Sequence, residues 1–212
     1  MESTRARAYR QEEDRCRFLV GRGMLRVLLG GYLGRPTKDV PIVSGAMGKP
    51  VLPPATNPGE WQFNVAHSGK WILAAIARRR RVGVDVERIR PMLDLEPLAE
   101  RCCSPRERQI FKALPEDEKQ TAFFRCWTRK EAYMKGLGLG LEIPLDALEV
   151  SFTPGETARL VRSWQGDTSQ YPWCLRELDI GSDYAAAMAV EGDPDRLSCW
   201  DWPASFWLGD KE

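Results

Sequence analysis

Three acidic residues in two short segments have the types and spacing to do chemistry together. Asp85 and Glu87 fall in Val82-Gly-Val-Asp-Val-Glu87, and Glu131 falls in Trp127-Thr-Arg-Lys-Glu-Ala-Tyr-Met-Lys135. In the first segment the carboxylates alternate with Val84 and Val86. Residues two apart on a strand share a face, so both carboxylates point one way and both valines the other. In the second, Glu131 follows Trp127 by four residues and Phe123 by eight. Helical spacing then sets a carboxylate on an apolar stripe, where a charge is costly unless it is paired or bound to metal. Two strand carboxylates and one helix carboxylate together suit a hard divalent cation. Magnesium takes oxygen ligands and keeps waters and substrate phosphates in its shell.

Basic residues flank the acids. Lys135 lies four residues after Glu131, so the two face each other on a helix, and Lys130 adds a second positive charge. The single histidine, His67, sits in Phe63-Asn-Val-Ala-His-Ser-Gly69. It follows a strand and precedes Ser68-Gly69-Lys70, a small polar turn whose backbone N–H groups suit phosphate. Arg78 to Arg81 reads as a solvated turn, on the order of 13 Å from Asp85 at strand rise. Gly136-x-Gly138-x-Gly140 ends a helix, whereas a phosphate-binding glycine loop opens one.

The elements that must position these groups follow from periodicity. Residues 12–33 read as a helix stopped by Gly34-Arg-Pro36. Residues 40–44, 61–66, 71–77 and 82–87 read as strands, the last two joined as a hairpin across Arg78 to Arg81. Ser104-Pro-Arg-Glu107 is a helix start with an N-cap serine and glutamate at N3. A longer helix runs from near Pro115 to Gly136, and strands return at about 147–153, 158–164, 172–179 and 184–190. Helix then strands, twice over, predicts an α+β fold of two similar halves, residues 1–95 and 96–212.

Composition sets the class. The 212 residues are 43% hydrophobic and 29% charged, with a formal net charge of +1 that gives no sign of a nucleic-acid partner. Residues 1–35 carry eight arginines against four acids, a local anion-binding or docking face. No apolar run approaches the roughly 18–20 residues that span a membrane, and the first residues have no signal-peptide core, so the expected location is cytoplasmic. The six cysteines are scattered without Cys-x-x-Cys spacing, which predicts reduced structural thiols rather than disulfides or a zinc site.

Taken in order, these segments resemble the 4′-phosphopantetheinyl transferases of the larger, surfactin-synthetase type. The matching pieces are Gly48-Lys-Pro50, the His67 segment, Val82 to Glu87, and Phe124 to Lys135, with a further likeness in the helix Arg15 to Arg26. The resemblance implies a pseudo-twofold monomer, each half a helix packed on a small antiparallel sheet, with the active site at their interface. It implies transfer of the phosphopantetheine arm of coenzyme A to a serine of an acyl or peptidyl carrier protein. By the same likeness Asp85, Glu87 and Glu131 match magnesium ligands, with manganese as a substitute. Glu131 also matches the general base and Lys135 the lysine at the pyrophosphate. Gly48, Lys49, Pro50, His67, Ser68, Lys130 and Arg17 match coenzyme A contacts. Carrier domains of such systems present an acidic helix, for which Arg101, Arg106 and Arg108 are docking candidates. Two departures stand out: Ala66 occupies a position where the family often has serine, and only about a dozen residues precede the first helix, where this type usually has a strand. An alternative consistent with both is a carrier-binding module of the same fold that has lost turnover.

Overall fold

The structure is a computed structural model and describes residues 11–138, 143–164 and 172–202. Gly140 and the arginines before residue 11 lie outside the described residues. Helix α1 (Glu12–Leu33) opens with three acids in its first turn, at the positive end of the helix dipole, and closes on Gly34 in the left-handed region at φ +61°. A short ladder pairs β1 (Val43–Ser44) with β2 (Pro50–Val51). Strands β3 (Trp61–Ser68) and β4 (Trp71–Arg78) form an antiparallel hairpin around Gly69-Lys70. Next come β5 (Val82–Arg88), α2 (Leu95–Cys102), α3 (Pro105–Ala113) and α4 (Glu116–Leu137). The chain ends in β6 (Glu149–Val150), β7 (Leu160–Arg162), β8 (Trp173–Glu177) and β9 (Tyr184–Glu191). None of the described helices is long and apolar enough to cross a membrane.

This is an α+β fold with helices packed against small antiparallel sheets, as the sequence predicts. The helix bounds match their caps closely: Ser104 and Glu107 form a reciprocal capping box at α3, and Gly138 ends α4 at φ +75°. Strands β1, β6 and β7 are shorter than their apolar runs predict.

One pairing differs from expectation. Arg78 to Arg81 is not a hairpin turn: β5 leaves β4 and pairs with β9, giving a three-stranded sheet β5-β9-β8. Arg79 takes a left-handed φ of 57° at the corner. Arg80 donates to the Glu191 and Asp193 carbonyls, and Arg81 pairs with the Glu191 carboxylate, so these arginines anchor the corner to the end of β9. The other edge of β5 is met by side chains of β3. Asn64 accepts the Val84 N–H at 2.9 Å and Ser68 accepts the Arg88 N–H at 3.0 Å. Both bonds advance together along the two strands, so β3 and β5 run in the same direction.

Three cores follow from strand alternation. Leu25 and Leu29 of α1 pack on Phe63, Val65, Ala74 and Ile76 from one face of the hairpin. The opposite face, with Ala66 and Ala75, shares a core with Val82, Val84 and Val86 of β5 and with Ala186, Met188 and Val190 of β9. The remaining face of the β5-β9-β8 sheet packs under α4, where Ala132, Tyr133, Trp173, Ala187 and Ala189 are buried. Val84 and Val86 are therefore core, and Asp85 and Glu87 face α4.

Contact between α4 and β5 is set by two glycines. A Cβ on Gly83 would lie 2.0 Å from the Ala132 carbonyl oxygen and 2.3 Å from the Gly136 nitrogen, both backbone atoms that have nowhere to go. Gly31, by contrast, is an exposed position of α1 where an added Cβ meets nothing within 4 Å. Gly83→Ala is expected to lower stability by at least about 3 kcal/mol. Gly31→Ala is expected to raise it by up to about 1 kcal/mol, because alanine favours the helical backbone over glycine at this last-turn position. Urea unfolding of both variants measures this; equal midpoints would remove the steric account.

Candidate active site

The sequence-predicted carboxylates meet between β5 and α4. Asp85 sits in mid-strand opposite Ala187 and is only 3% exposed. Its Oδ1 accepts from the Lys135 Nζ at 2.5 Å. Its Oδ2 is buried and has no hydrogen-bond partner. Burial pushes the Asp85 carboxyl up to about 7; Lys135 pulls it back and the nearby Glu87 and Glu131 push it up further. Glu131 is half-buried one helical turn before Lys135, and burial likewise raises its carboxyl, with Lys135 opposing and Glu87 adding. Glu87 accepts from the Ser68 hydroxyl at 3.0 Å.

Ser68 opens the hairpin turn and links the carboxylates to a basic corner. Arg17 of α1 donates to the Gly69 carbonyl at 2.8 Å and pairs with Asp14 at 2.8 Å, while its Nε is buried without a partner. His67 lies beside it on β3, its imidazole shifted below the usual value first by burial and then by the Arg17 charge, with Lys135 adding to the effect. A neutral imidazole and a guanidinium thus stand together at one end of the hairpin, within electrostatic reach of Lys135. The Lys70 N–H of the turn is taken by the Tyr184 hydroxyl at 3.2 Å. Tyr184 was not legible as a turn anchor, since its partner lies in a distant hairpin.

Gly48 and Lys49 end the tight connection from β1, and Pro50 opens β2 opposite Ser44; Gly48 has φ +76°. Lys49 donates to the carbonyls of Lys135 at 2.5 Å and Gly136 at 3.4 Å, at the negative end of α4. Burial first, and then Arg81, lowers its ammonium to about 8. The segment is thereby fastened beside Lys135.

Lys130 has its own partners in the core. Its side chain is wholly buried and its Nζ donates to Glu107 Oε2 at 2.5 Å, the Cys102 carbonyl at 2.8 Å and the Leu145 carbonyl at 2.9 Å. One residue along a helix turns the side chain by about 100°, so this neighbour of Glu131 points into the protein core toward Glu107. Ala66, the other departure, is 5% exposed in the core with the β5 valines, on the strand face opposite His67.

Among the described residues, the set of three potential ligands whose atoms all lie within 4.8 Å of one another is Cys103, Glu107 and Cys126, not the three carboxylates. That set is buried core. Glu107 already accepts from Ser104 N–H, Val150 N–H and Lys130, whose ammonium opposes a second cation. All six cysteines are free thiols.

The rest of α4 is held by charge as well. Arg129, 1% exposed, donates to the Ser151 carbonyl and pairs with Glu177, which Arg125 also meets at 3.2 Å. Glu177 lies opposite Ala187, the same residue that pairs with Asp85. A buried carboxylate with one unpartnered oxygen and a basic corner at the hairpin turn together suit chemistry on a phosphate compound.

Comparison with known proteins agrees in class. Residues 81–189 match the family described as the 4′-phosphopantetheinyl transferase superfamily, and residues 1–79 match a 4′-phosphopantetheinyl transferase N-terminal family. The chain is 38% identical over 206 residues to the 4′-phosphopantetheinyl transferase HetI of a Nostoc species, covering 97% of this chain and 81% of that protein. It is 34% identical to the putative 4′-phosphopantetheinyl transferase slr0495 of a Synechocystis species, covering 86% and 82% respectively. To the 4′-phosphopantetheinyl transferase Sfp of Bacillus subtilis it is 30% identical, covering 69% of this chain and 62% of that protein. The chain belongs to the 4′-phosphopantetheinyl transferase superfamily, and it matches relatives of the larger type.

Removing the Lys130 ammonium separates a structural role from a phosphate role. Lys130→Met leaves Glu107 buried without its cation and is expected to cost about 3–5 kcal/mol of stability. KM for a phosphate-bearing donor, measured on the folded fraction, is expected to stay within about two-fold, below the 1.4 kcal/mol that a ten-fold change represents. A large KM rise without a stability loss would return Lys130 to the phosphate site.

Proposed function

We propose that the chain transfers the 4′-phosphopantetheine arm of coenzyme A to a serine of an apo acyl or peptidyl carrier protein. The products are the holo carrier and adenosine 3′,5′-bisphosphate. The observation that carries the reading is the Asp85 carboxylate, buried with one oxygen unpartnered, beside Glu131 and Lys135 in a chain of this family. An orphaned, desolvated carboxylate oxygen with two further carboxylates nearby fits a divalent cation by charge and donor type. Asp85, Glu87 and Glu131 would hold magnesium, or manganese in its place. When bound, that ion supplies positive charge to the donor's pyrophosphate as it breaks.

The chain's own residues supply the rest. Lys135, one-third exposed, reaches toward solvent and can hold a pyrophosphate oxygen. Arg17 and His67 form the basic corner for the donor's other phosphates, with Ser68 and the Gly48-Lys49-Pro50 connection lining the approach. Glu131 takes the proton from the carrier serine, whose oxygen then attacks the β-phosphorus; a carboxylate held beside a cation stays ionised near pH 7 and so is available as a base. Holding donor and base on one rigid strand–helix contact contributes orientation before the reaction begins. In this reading residues 1–95 supply Asp85, Glu87 and the coenzyme A contacts, and residues 96–212 supply Glu131 and Lys135. The chain works as a cytoplasmic monomer.

The test is direct. The chain is incubated with coenzyme A, magnesium and an apo carrier protein, and the carrier is weighed by mass spectrometry. Gain of one phosphopantetheine by the carrier, and none by its serine-to-alanine form, is the expected result; carrier binding without the added mass would favour a non-catalytic module. Glu131→Gln and Asp85→Asn are each expected to lower turnover by about 100-fold or more while the protein stays folded. Wild-type turnover in Glu131→Gln would remove it from the base role.

A further inference from the structure

One oxygen of the carboxylate a cation needs is already held by a positive charge of the protein itself. Lys135 Nζ sits on Asp85 Oδ1 at 2.5 Å, and the other Asp85 oxygen is buried with no partner. Asp85 has no freedom to turn away: β9 pairs along its strand and α4 covers it. Lys135 does have freedom, since a third of its side chain is exposed and four methylenes carry its ammonium. An ammonium and a divalent cation on the same small carboxylate repel each other strongly in a buried setting. A cation entering from water must therefore push Lys135 off Asp85, and a cation that also draws on Glu131 weakens the other acidic neighbour of that ammonium. A diphosphate arriving at the same time gives the ammonium a new one.

We infer that Lys135 is a built-in counter-ion that plugs the cation position until a diphosphate-bearing donor draws it away, so that divalent cation and donor bind cooperatively. This rests on the transferase reading of the site, and it adds an order to it. Without donor, Asp85 is neutralised internally and the site has low affinity for metal. With donor, Lys135 moves to the pyrophosphate and Asp85 opens. Because coupling between two ligands is reciprocal, the cation raises donor affinity by the same factor as the donor raises cation affinity.

Binding of Mn2+ to the full chain, followed by electron paramagnetic resonance of the free ion, tests this without any turnover. Coenzyme A is present or absent, no carrier is added, and Mn2+ held by coenzyme A alone is subtracted. Wild type is expected to bind Mn2+ at least about ten-fold more tightly with saturating coenzyme A. Lys135→Met is expected to bind Mn2+ alone at least about ten-fold more tightly than wild type, with coenzyme A then adding less than about three-fold. Lys135→Gln, which keeps a donor for Asp85 but no charge, is expected to behave the same way and guards against misfolding of the first variant. Lys70→Met removes an exposed charge from the neighbouring turn and is expected to change Mn2+ affinity by less than about three-fold.

Unchanged or weaker Mn2+ binding in both Lys135 variants overturns the plug. An equal gain in Lys70→Met also overturns it, because the effect is then one of general charge. The transferase reading is judged separately by the carrier mass. Transfer by wild type with no metal gain in the Lys135 variants rejects the plug alone, whereas a metal gain without any transfer supports the plug and rejects the transferase.

Discussion

The contact of α4 with β5 is the constraint from which the site follows. A helix normally rides on a sheet at the distance its side chains impose. Here Gly83 presents no side chain and Gly136 lets the helix backbone approach, so the two main chains nearly touch. Two residues along β5 from that contact stands Asp85, and one residue along α4 from it stands Lys135. Any side chain at the crossing would lift the helix and pull the ammonium and Glu131 away from the strand. Asp85 can be both deeply buried and paired only because the backbones are this close.

Charge then fixes how the helix is rotated. Arg125 and Arg129 hold one flank to Glu177 on β8, Lys130 holds another to Glu107, and Lys49 caps the C-terminal end. The Lys130–Glu107 and Arg129–Glu177 pairs are buried on at least one side and satisfied by further hydrogen bonds, the arrangement in which such pairs are tolerated. Pairs of this kind add little net stability against an apolar core, but each accepts only one rotation of α4. Glu131 is the polar residue of that stretch left facing the site.

Much of this was legible in the chain. Period-two alternation in β5 separates Asp85 and Glu87 from Val84 and Val86 whatever the strand pairs with. Caps at Ser104, Gly34 and Gly138 bound their helices through local chemistry that tertiary contacts do not override. The partner of β5 was not legible. Arg78 to Arg81 has the length of a hairpin turn, and the choice of β9 depends on core valines meeting Ala186 and Met188, which no local signal announces. The direction of Lys130 was lost for a related reason: adjacency in sequence suggests a shared site, while the helix sends neighbours to different sides. The Asn64 and Ser68 bonds to β5 were likewise invisible, because each joins a side chain to a backbone group twenty residues on.

The exchange of strand partners also bears on when the protein becomes competent during synthesis. The residue that backs Asp85, Ala187, is made about a hundred residues later, so the central ladder is a contact of high sequence separation. Until β9 emerges, β5 has the side chains of β3 along one edge and α4 over one face, and its other edge, in a strand rich in valine, lies open. The hairpin and α1 can collapse early around Phe63 and Leu29, but a chain halted before β9 carries every acidic residue of the site without the strand that pairs with β5 behind Asp85. Competence is thus withheld until nearly the whole described sequence has left the ribosome, and a nascent chain paused before that point exposes an edge prone to pairing with its neighbours.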